Sequence, residues 1–321
     1  MRDTDYAYCV ARIRANERYL LSSKDISDLL ECKSFDSAVQ YLIDKKWLHE
    51  KCGISDSVKY QSDKLSTLLS ECVPDKKKLD ILYAVNDFFN IKAAVKCHFT
   101  GKDPFDYYVR PTTLELNKLT ESVSAHQFSS IDGAKGKCAG ESYNTAVLTE
   151  NGQNADIIID RACIDEIRSF AEADGDSVTG KICGFICDTA NIKIAFRCAD
   201  TNKKRDFTET AIGECSAISR KDLIEATLKG KEALSEYLSK TDYKEGAEVY
   251  LTCAAEYEKW CDDKIISIAK GSVFTAFGFD PVCSYYYAKL SEMKTVRIIL
   301  TGLKSGADKN SIKERVRALY V

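Results

Sequence analysis

Proline is scarce: Pro74, Pro104, Pro111 and Pro281 are the only four in 321 residues. Proline stops helices, so long helices are permitted almost everywhere. Leu, Lys, Glu and Ala cost least in a helix, and their abundance predicts a mainly helical chain. Histidine is scarcer still, with only His49, His98 and His126. A nucleophile needs a nearby base, usually histidine, and none of these three lies in a recognisable motif. No run of 18 apolar residues occurs, so no segment is expected to span a bilayer. Met1-Arg2-Asp3-Thr4-Asp5 is not followed by the apolar core of a signal peptide, which predicts a cytoplasmic location. An excess of positive charge is also lacking. The net charge is −3 and the isoelectric point about 5.8, which argues against a general nucleic-acid binder.

Cysteine, by contrast, is plentiful, with 14 residues. They are scattered, with no Cys-x-x-Cys pair, and Cys183 and Cys187 fall on one face of a predicted helix. Three histidines give a zinc site little to draw on. The cysteines are expected to be reduced and to act as small core hydrophobes, in a reducing compartment. Hydrophobic content of 45% and charged content of 30% match a globular protein. A chain this long buries about three quarters of its unfolded surface.

A ten-residue stretch occurs three times. Asp87-Phe-Phe-Asn90-Ile-Lys92-Ala-Ala-Val-Lys96 is the first copy. Asp188-Thr-Ala-Asn191-Ile-Lys193-Ile-Ala-Phe-Arg197 is the second. Lys289-Leu-Ser-Glu292-Met-Lys294-Thr-Val-Arg-Ile298 is a looser third. Asn90 to Asn191 and Asn191 to Glu292 are both 101 residues. Two equal intervals predict three similar units of about 100 residues, over 1–110, 111–210 and 211–321.

Along the chain, apolar spacing predicts helices over 5–22, after Ser23 and after Ser34, and again over 58–73. Ile81, Val85, Phe88, Ile91, Val95 and Phe99 form one stripe of a long helix, stopped by Gly101 and Pro104. Residues 112–150 are the least regular. Asp132 to Gly140 read as an exposed loop, and Gly136-Lys137 invites a phosphate-loop reading. That reading fails, because the first glycine stands too close and Cys138 replaces the magnesium-binding Ser or Thr. Helices are expected through Asp160–Phe170 and Ile182–Phe196, with a polar turn at 200–206. A helical pair follows near Leu223–Leu228 and Ala233–Leu238. A helix through Leu251–Ile268 comes next. Asp280-Pro281 starts the last long helix, which Gly302 and Gly306 are expected to break, and Asp308 caps a final helix running through Leu319.

No acid/base pair stands out. Asp262-Asp263 and Asp25/Asp28 resemble ordinary solvated helix faces. Lys92, Lys193 and Lys294 share one position in the three units. Around a threefold axis they would form a ring able to grip an acidic partner. The plainer expectation ties each to a carboxylate such as Asp87 or Asp188, or leaves it solvated.

Together these residues resemble the family of the C subunit of V-type and archaeal A-type ATPases and ATP synthases, related to the d subunit of the eukaryotic V-ATPase. Five places carry the likeness. The opening Tyr6-x-Tyr8-x-x-x-Arg12-x-Arg14-x-x-Glu17 with Leu20-Leu21 is similar to the family's N-terminal signature. Asp87 to Lys92 and Asp188 to Lys193 resemble its Asp-x-x-Asn-Leu/Ile-Lys repeats, and Asp160-Arg161 the start of its second unit. The end is the most specific: Pro281, Tyr285, Ala288-Lys289, Glu292-Met293-Lys294, Val296–Leu300, Gly302 and Ile312-x-Glu314-Arg315-Val316-Arg317-x-Leu319-Tyr320-Val321. Met293 stands where the family usually has Ile.

The resemblance implies an all-α fold of three helical units in a funnel with pseudo-threefold symmetry. It implies a non-catalytic rotor part, seated between the D–F central shaft and the membrane proteolipid ring. No cofactor, nucleic acid or small-molecule substrate is expected, and the chain would lie on the cytoplasmic face of the membrane within the ATPase complex. Two other readings stand beside it. One is a helical-repeat scaffold with another partner, though such repeats usually span about 34–47 residues. The other is an enzyme with a cysteine nucleophile.

Overall fold

The computed structural model describes residues 2–131 and 133–321; Met1 and Asp132, named above, lie outside the described residues. Those residues are helical, with no strand among them. The helices are α1 (Ala7–Glu17), α2 (Ser23–Leu30), α3 (Phe35–Asp44), α4 (Ile54–Cys72), α5 (Lys78–Thr100), α6 (Leu116–Ser124), α7 (Gly133–Thr149) and α8 (Gly152–Asp174). They continue with α9 (Val178–Asp200), α10 (Arg205–Ala211), α11 (Arg220–Leu228), α12 (Lys231–Leu238), α13 (Lys244–Thr252), α14 (Ala254–Ala269), α15 (Asp280–Ser305) and α16 (Lys309–Arg315). None among the described residues is long and apolar enough to cross a membrane.

The chain forms two compact units. The first holds the stretch ending at Lys76, with Asp176–Ile182 and Glu245–Val321. Its spine is α15, against which α1, α2, α3, α4, α14 and α16 pack. Pro281 sits in the first turn, where its missing N–H costs nothing, and Gly306 ends the helix in the left-handed conformation at φ 69°. Gly302 does not break it, contrary to expectation. A Cβ there would lie 2.5 Å from Ile312, so the glycine lets α16 close onto α15. Helix α16 is also shorter than expected. It stops at Arg315, and the chain runs on in extended form.

The second unit holds Lys77–Gly175 and Cys183–Lys244. Here α5 packs on α6, α7 and α8. Phe88, Ile91 and Val95 of α5 meet Leu119, Val123, Ala139, Tyr143 and Ile159 in one core. The expected stripe is only partly right, because Val85 and Phe99 are half exposed. Helix α5 is instead buried nearly all round, including its polar Asp87 and Asn90.

Residues 133–140 are not a loop but the start of α7. The glycines there are contact residues: a Cβ on Gly136 would stand 2.2 Å from the Ile131 carbonyl oxygen, and one on Gly140 3.2 Å from the Phe128 ring. Helix α10 likewise follows the polar turn, which is shorter than expected. Caps fall close to their predicted places. Ser34 accepts from Ser37 N and Asp308 from Ser311 N, while Ser22 rather than Ser23 caps α2.

Candidate functional site

The repeated motif turns inward. On α5 the Asn90 amide donates to Val109 O at 3.0 Å and accepts from Val109 N at 2.8 Å. One turn earlier, Asp87 accepts from Thr113 N at 2.9 Å and from the hydroxyls of Thr112 and Thr113. The pair therefore clamps the irregular segment before α6. On α9 the same positions do the same work. Asn191 accepts from Gly213 N at 2.7 Å and donates to Glu214 O at 3.2 Å. Asp188 accepts from Ser216 N at 2.6 Å and Ala217 N at 2.8 Å, bracing the segment before α11. A loop satisfied this way can run against a buried helix without stranding its backbone groups.

The third copy uses different chemistry for the same purpose. Glu292 of α15 accepts from Leu21 N at 2.6 Å and Trp47 Nε1 at 2.7 Å, bracing the segments before α2 and after α3. Lys289, at the position of Asp87 and Asp188, donates to Glu292 and lies 5.7 Å from the Trp47 ring centroid. Both are buried.

Each buried carboxylate is balanced in its own way. Lys135 of α7 lies 2.6 Å from Asp87, 3.5 Å from Glu166 and 3.8 Å from Asp80. Burial alone would lower the Lys135 pKa, but Asp87 first, then Glu166 and Asp80, raise it above the ordinary lysine value. Burial pushes Glu166 up, with Lys135 pulling the other way. Among the described residues Asp188 has no such cation. Its further partner is the Tyr243 hydroxyl at 2.8 Å, and burial raises its pKa against these hydrogen bonds.

Each predicted partner-binding lysine lies on a different long helix: Lys92 on α5, Lys193 on α9 and Lys294 on α15. Lys92 pairs with Asp160 of α8, and Lys294 with Asp262 of α14. The expected partners, Asp87 and Asp188, are committed to Lys135, Tyr243 and the loops.

Asp262 and Asp263 are not simply solvated, contrary to expectation. Asp262 also receives Arg317 Nε at 3.0 Å, and Asp263 receives Ala318 N at 2.6 Å. Ser291 Oγ donates to Ala318 O at 2.8 Å. The C-terminal signature is thus pinned to α14 and α15. Asp25 is also occupied, by Ser22 in a capping box, by Tyr41 at 3.0 Å and by Lys45 at 2.6 Å. At the other end of the chain, Arg14 donates to Ser272 O at 2.7 Å and Thr275 O at 3.1 Å.

Four groupings have no signature in the sequence. His98 and His126 meet at the Tyr143 hydroxyl, with His98 Nε2 at 3.3 Å. Cys9 and Cys72 place their sulfurs 2.8 Å apart. A cleft of about 310 Å³ opens in the first unit beside Lys46, Trp47, Gln61, Lys64, Tyr285 and Lys289. Another, of about 530 Å³, lies in the second unit over Lys135 and Glu166. Among the described residues no group of His, Cys, Asp or Glu is placed to hold a metal ion.

The class so defined is an all-helical protein whose long helices brace its loops through buried polar side chains. A family model described as ATP synthase (C/AC39) subunit matches residues 9–315, and the chain belongs to this family of V- and A-type ATPase subunits. It is similar to the C subunit of the V-type sodium ATPase of Enterococcus hirae. The two are 22% identical over 318 residues, which cover 96% of this chain and 97% of that protein.

Proposed function

We propose that the chain is a non-catalytic central-stalk part of a V-type ATPase or ATP synthase. In this reading it joins the D–F shaft to the membrane proteolipid ring and passes torque between them during ATP-linked proton or sodium transport. The observation that carries the reading is the family match, which runs from residue 9 to residue 315. The bracing geometry supports it. A torque adaptor needs stiffness, and close-packed helices with clamped loops supply it.

In the same reading, residues 1–110, 111–210 and 211–321 are three similar helical units. They form a funnel with pseudo-threefold symmetry, peripheral on the cytoplasmic face of the membrane. Support comes from Asp87/Asn90, Asp188/Asn191 and Lys289/Glu292, which brace loops from matching positions. Lys92, Lys193 and Lys294 contribute to partner binding. A triple Lys→Ala variant tests that point, and unchanged shaft binding would confine the three to a structural role.

The reading as a whole is tested by mixing purified chain with the purified D–F pair and, separately, with ring-containing membranes. Stable association with both is expected. Failure to bind either at low salt would leave a helical scaffold for some other partner as the better account.

A further inference from the structure

Helices α1 and α4 pack on each other within the first unit, and both pack on α15. Arg12 of α1 and Glu71 of α4 bridge the two at 2.9 Å, with both side chains partly in solvent. Three residues before Arg12 stands Cys9, and directly after Glu71 stands Cys72. Both thiols are free and buried. Their sulfurs lie 2.8 Å apart, which is about 0.8 Å longer than a disulfide bond.

The two thiols are not equivalent. The hydrogen bond between them raises the pKa of Cys9 and lowers that of Cys72, so the shared proton rests on Cys9. Burial raises both, and Arg12 and Lys76 lower Cys72 further. The thiolate is the reactive form, which makes Cys72 the nucleophile and Cys9 the group that completes a bond. Cys72 is also the last residue of α4. Helix ends open more readily than helix middles, and that gives a small oxidant a way in.

We propose that Cys9 and Cys72 form a redox switch, in which an oxidant of the peroxide class joins them as a reversible disulfide that fastens α1 to α4. The Cys72 thiolate attacks one oxygen of hydrogen peroxide. The O–O bond breaks, and the leaving hydroxide is protonated to water. Cys72 has then given up two electrons and is a sulfenic acid. Cys9 loses its proton and attacks that sulfur. The S–O bond breaks, and the second hydroxide takes up the proton as water. Two thiols and one hydrogen peroxide thus become one disulfide and two waters. A dithiol reductant reverses the bond in two exchange steps.

The bond closes a loop whose ends stand 63 positions apart, which removes freedom from the unfolded chain. In the reduced form only packing and a partly exposed ion pair join the same two helices, and such pairs contribute little. The inference stands whether or not the chain couples a shaft to a ring, so its test and that of the rotary reading can fail separately.

The test treats the reduced full chain with hydrogen peroxide, blocks the remaining thiols in denaturant and maps the disulfides by mass. A Cys9–Cys72 link should appear before any other and vanish with dithiothreitol. The linked form should unfold at a urea midpoint about 1 M higher, the scale of a closed loop of this length. Cys9→Ser should leave Cys72 as a sulfenic acid that dimedone traps, and Cys72→Ser should leave Cys9 unoxidised. Cys253→Ser, at the exposed cysteine, should link as wild type. Mapping of the wild type decides the linkage even where a substitution unfolds the chain. Absence of the link, oxidation spread over other cysteines, or a linked form no more resistant to urea than the reduced one would overturn the proposal.

Discussion

Asn90 and Val109 are joined by two hydrogen bonds, one in each direction, so a single side chain satisfies both backbone groups of a loop residue 19 positions away. Asn191 serves Gly213 and Glu214 likewise. Truncating either asparagine leaves one loop N–H and one loop C=O without their partner against a buried stretch of helix. We predict that Asn90→Ala and Asn191→Ala each cost about 2–3 kcal/mol, from the penalty for unmet buried groups. Urea unfolding checks this; a loss within experimental error would show that water or a shifted loop takes over.

Lys135 is the cation that neutralises Asp87. Lys135→Met should destabilise by about 3–5 kcal/mol, because it leaves a fully buried carboxylate without its charge partner. Adding Asp87→Asn to that variant should recover part of the loss, a coupling that a double-mutant cycle measures. Additive losses would show that the two do not act as a pair.

Two aspartates should respond to acid with opposite signs. Asp25 is held well below the usual carboxylate range. Burial alone would raise it, but Lys45, Ser22 and Tyr41 outweigh burial. Its stabilising contribution is present above the unfolded value of about 3.9 and is lost as pH falls through the depressed folded value. Asp188 is raised by burial. Its contribution is fully present below the unfolded value and is lost as pH rises through the folded one. The stability gap between wild type and Asp25→Asn should therefore shrink on acidification. Asp188→Asn should remove a contribution that grows on acidification. Urea midpoints across the acid range decide both signs.

Thiol reactivity should be sharply uneven. Cys253 is the exposed cysteine, whereas burial pushes Cys138 and Cys163 up to about 12. Brief maleimide treatment of the native protein should label Cys253 first, with Cys138 and Cys163 silent until unfolding. Mass mapping that finds either of those two labelled first would contradict the described burial.

Much of the helical layout was readable because helix caps and breaks act locally. Ser34, Asp308, Gly101 and Gly306 did at their positions what their chemistry suggests. Where the sequence misled, a long-range contact had reversed a local meaning. Gly136 and Gly302 look like breaks but are close-approach points, against Ile131 and Ile312. Asp87, Asn90, Asp188 and Asn191 look like the wet side of an amphipathic helix. They are fully buried because their loops lie 19 to 29 residues downstream. Asp262 and Asp263 look solvated but hold the C-terminal tail, 55 residues away. The cleft at Lys64 and Tyr285 draws on α1, α4 and α15 and has no signature along the chain. The repeat interval of 101 was the one long-range signal the sequence offered, and it marked the bracing positions.

In the function proposed above, this chain couples ATP turnover to ion movement without performing either. The most direct measurement is the number of ions moved per ATP hydrolysed in ATPase-containing vesicles, before and after stripping this chain and after adding it back. The account predicts that stripped vesicles still hydrolyse ATP but no longer transport ions, and that the purified chain restores transport. Undiminished transport in vesicles lacking the chain would contradict it.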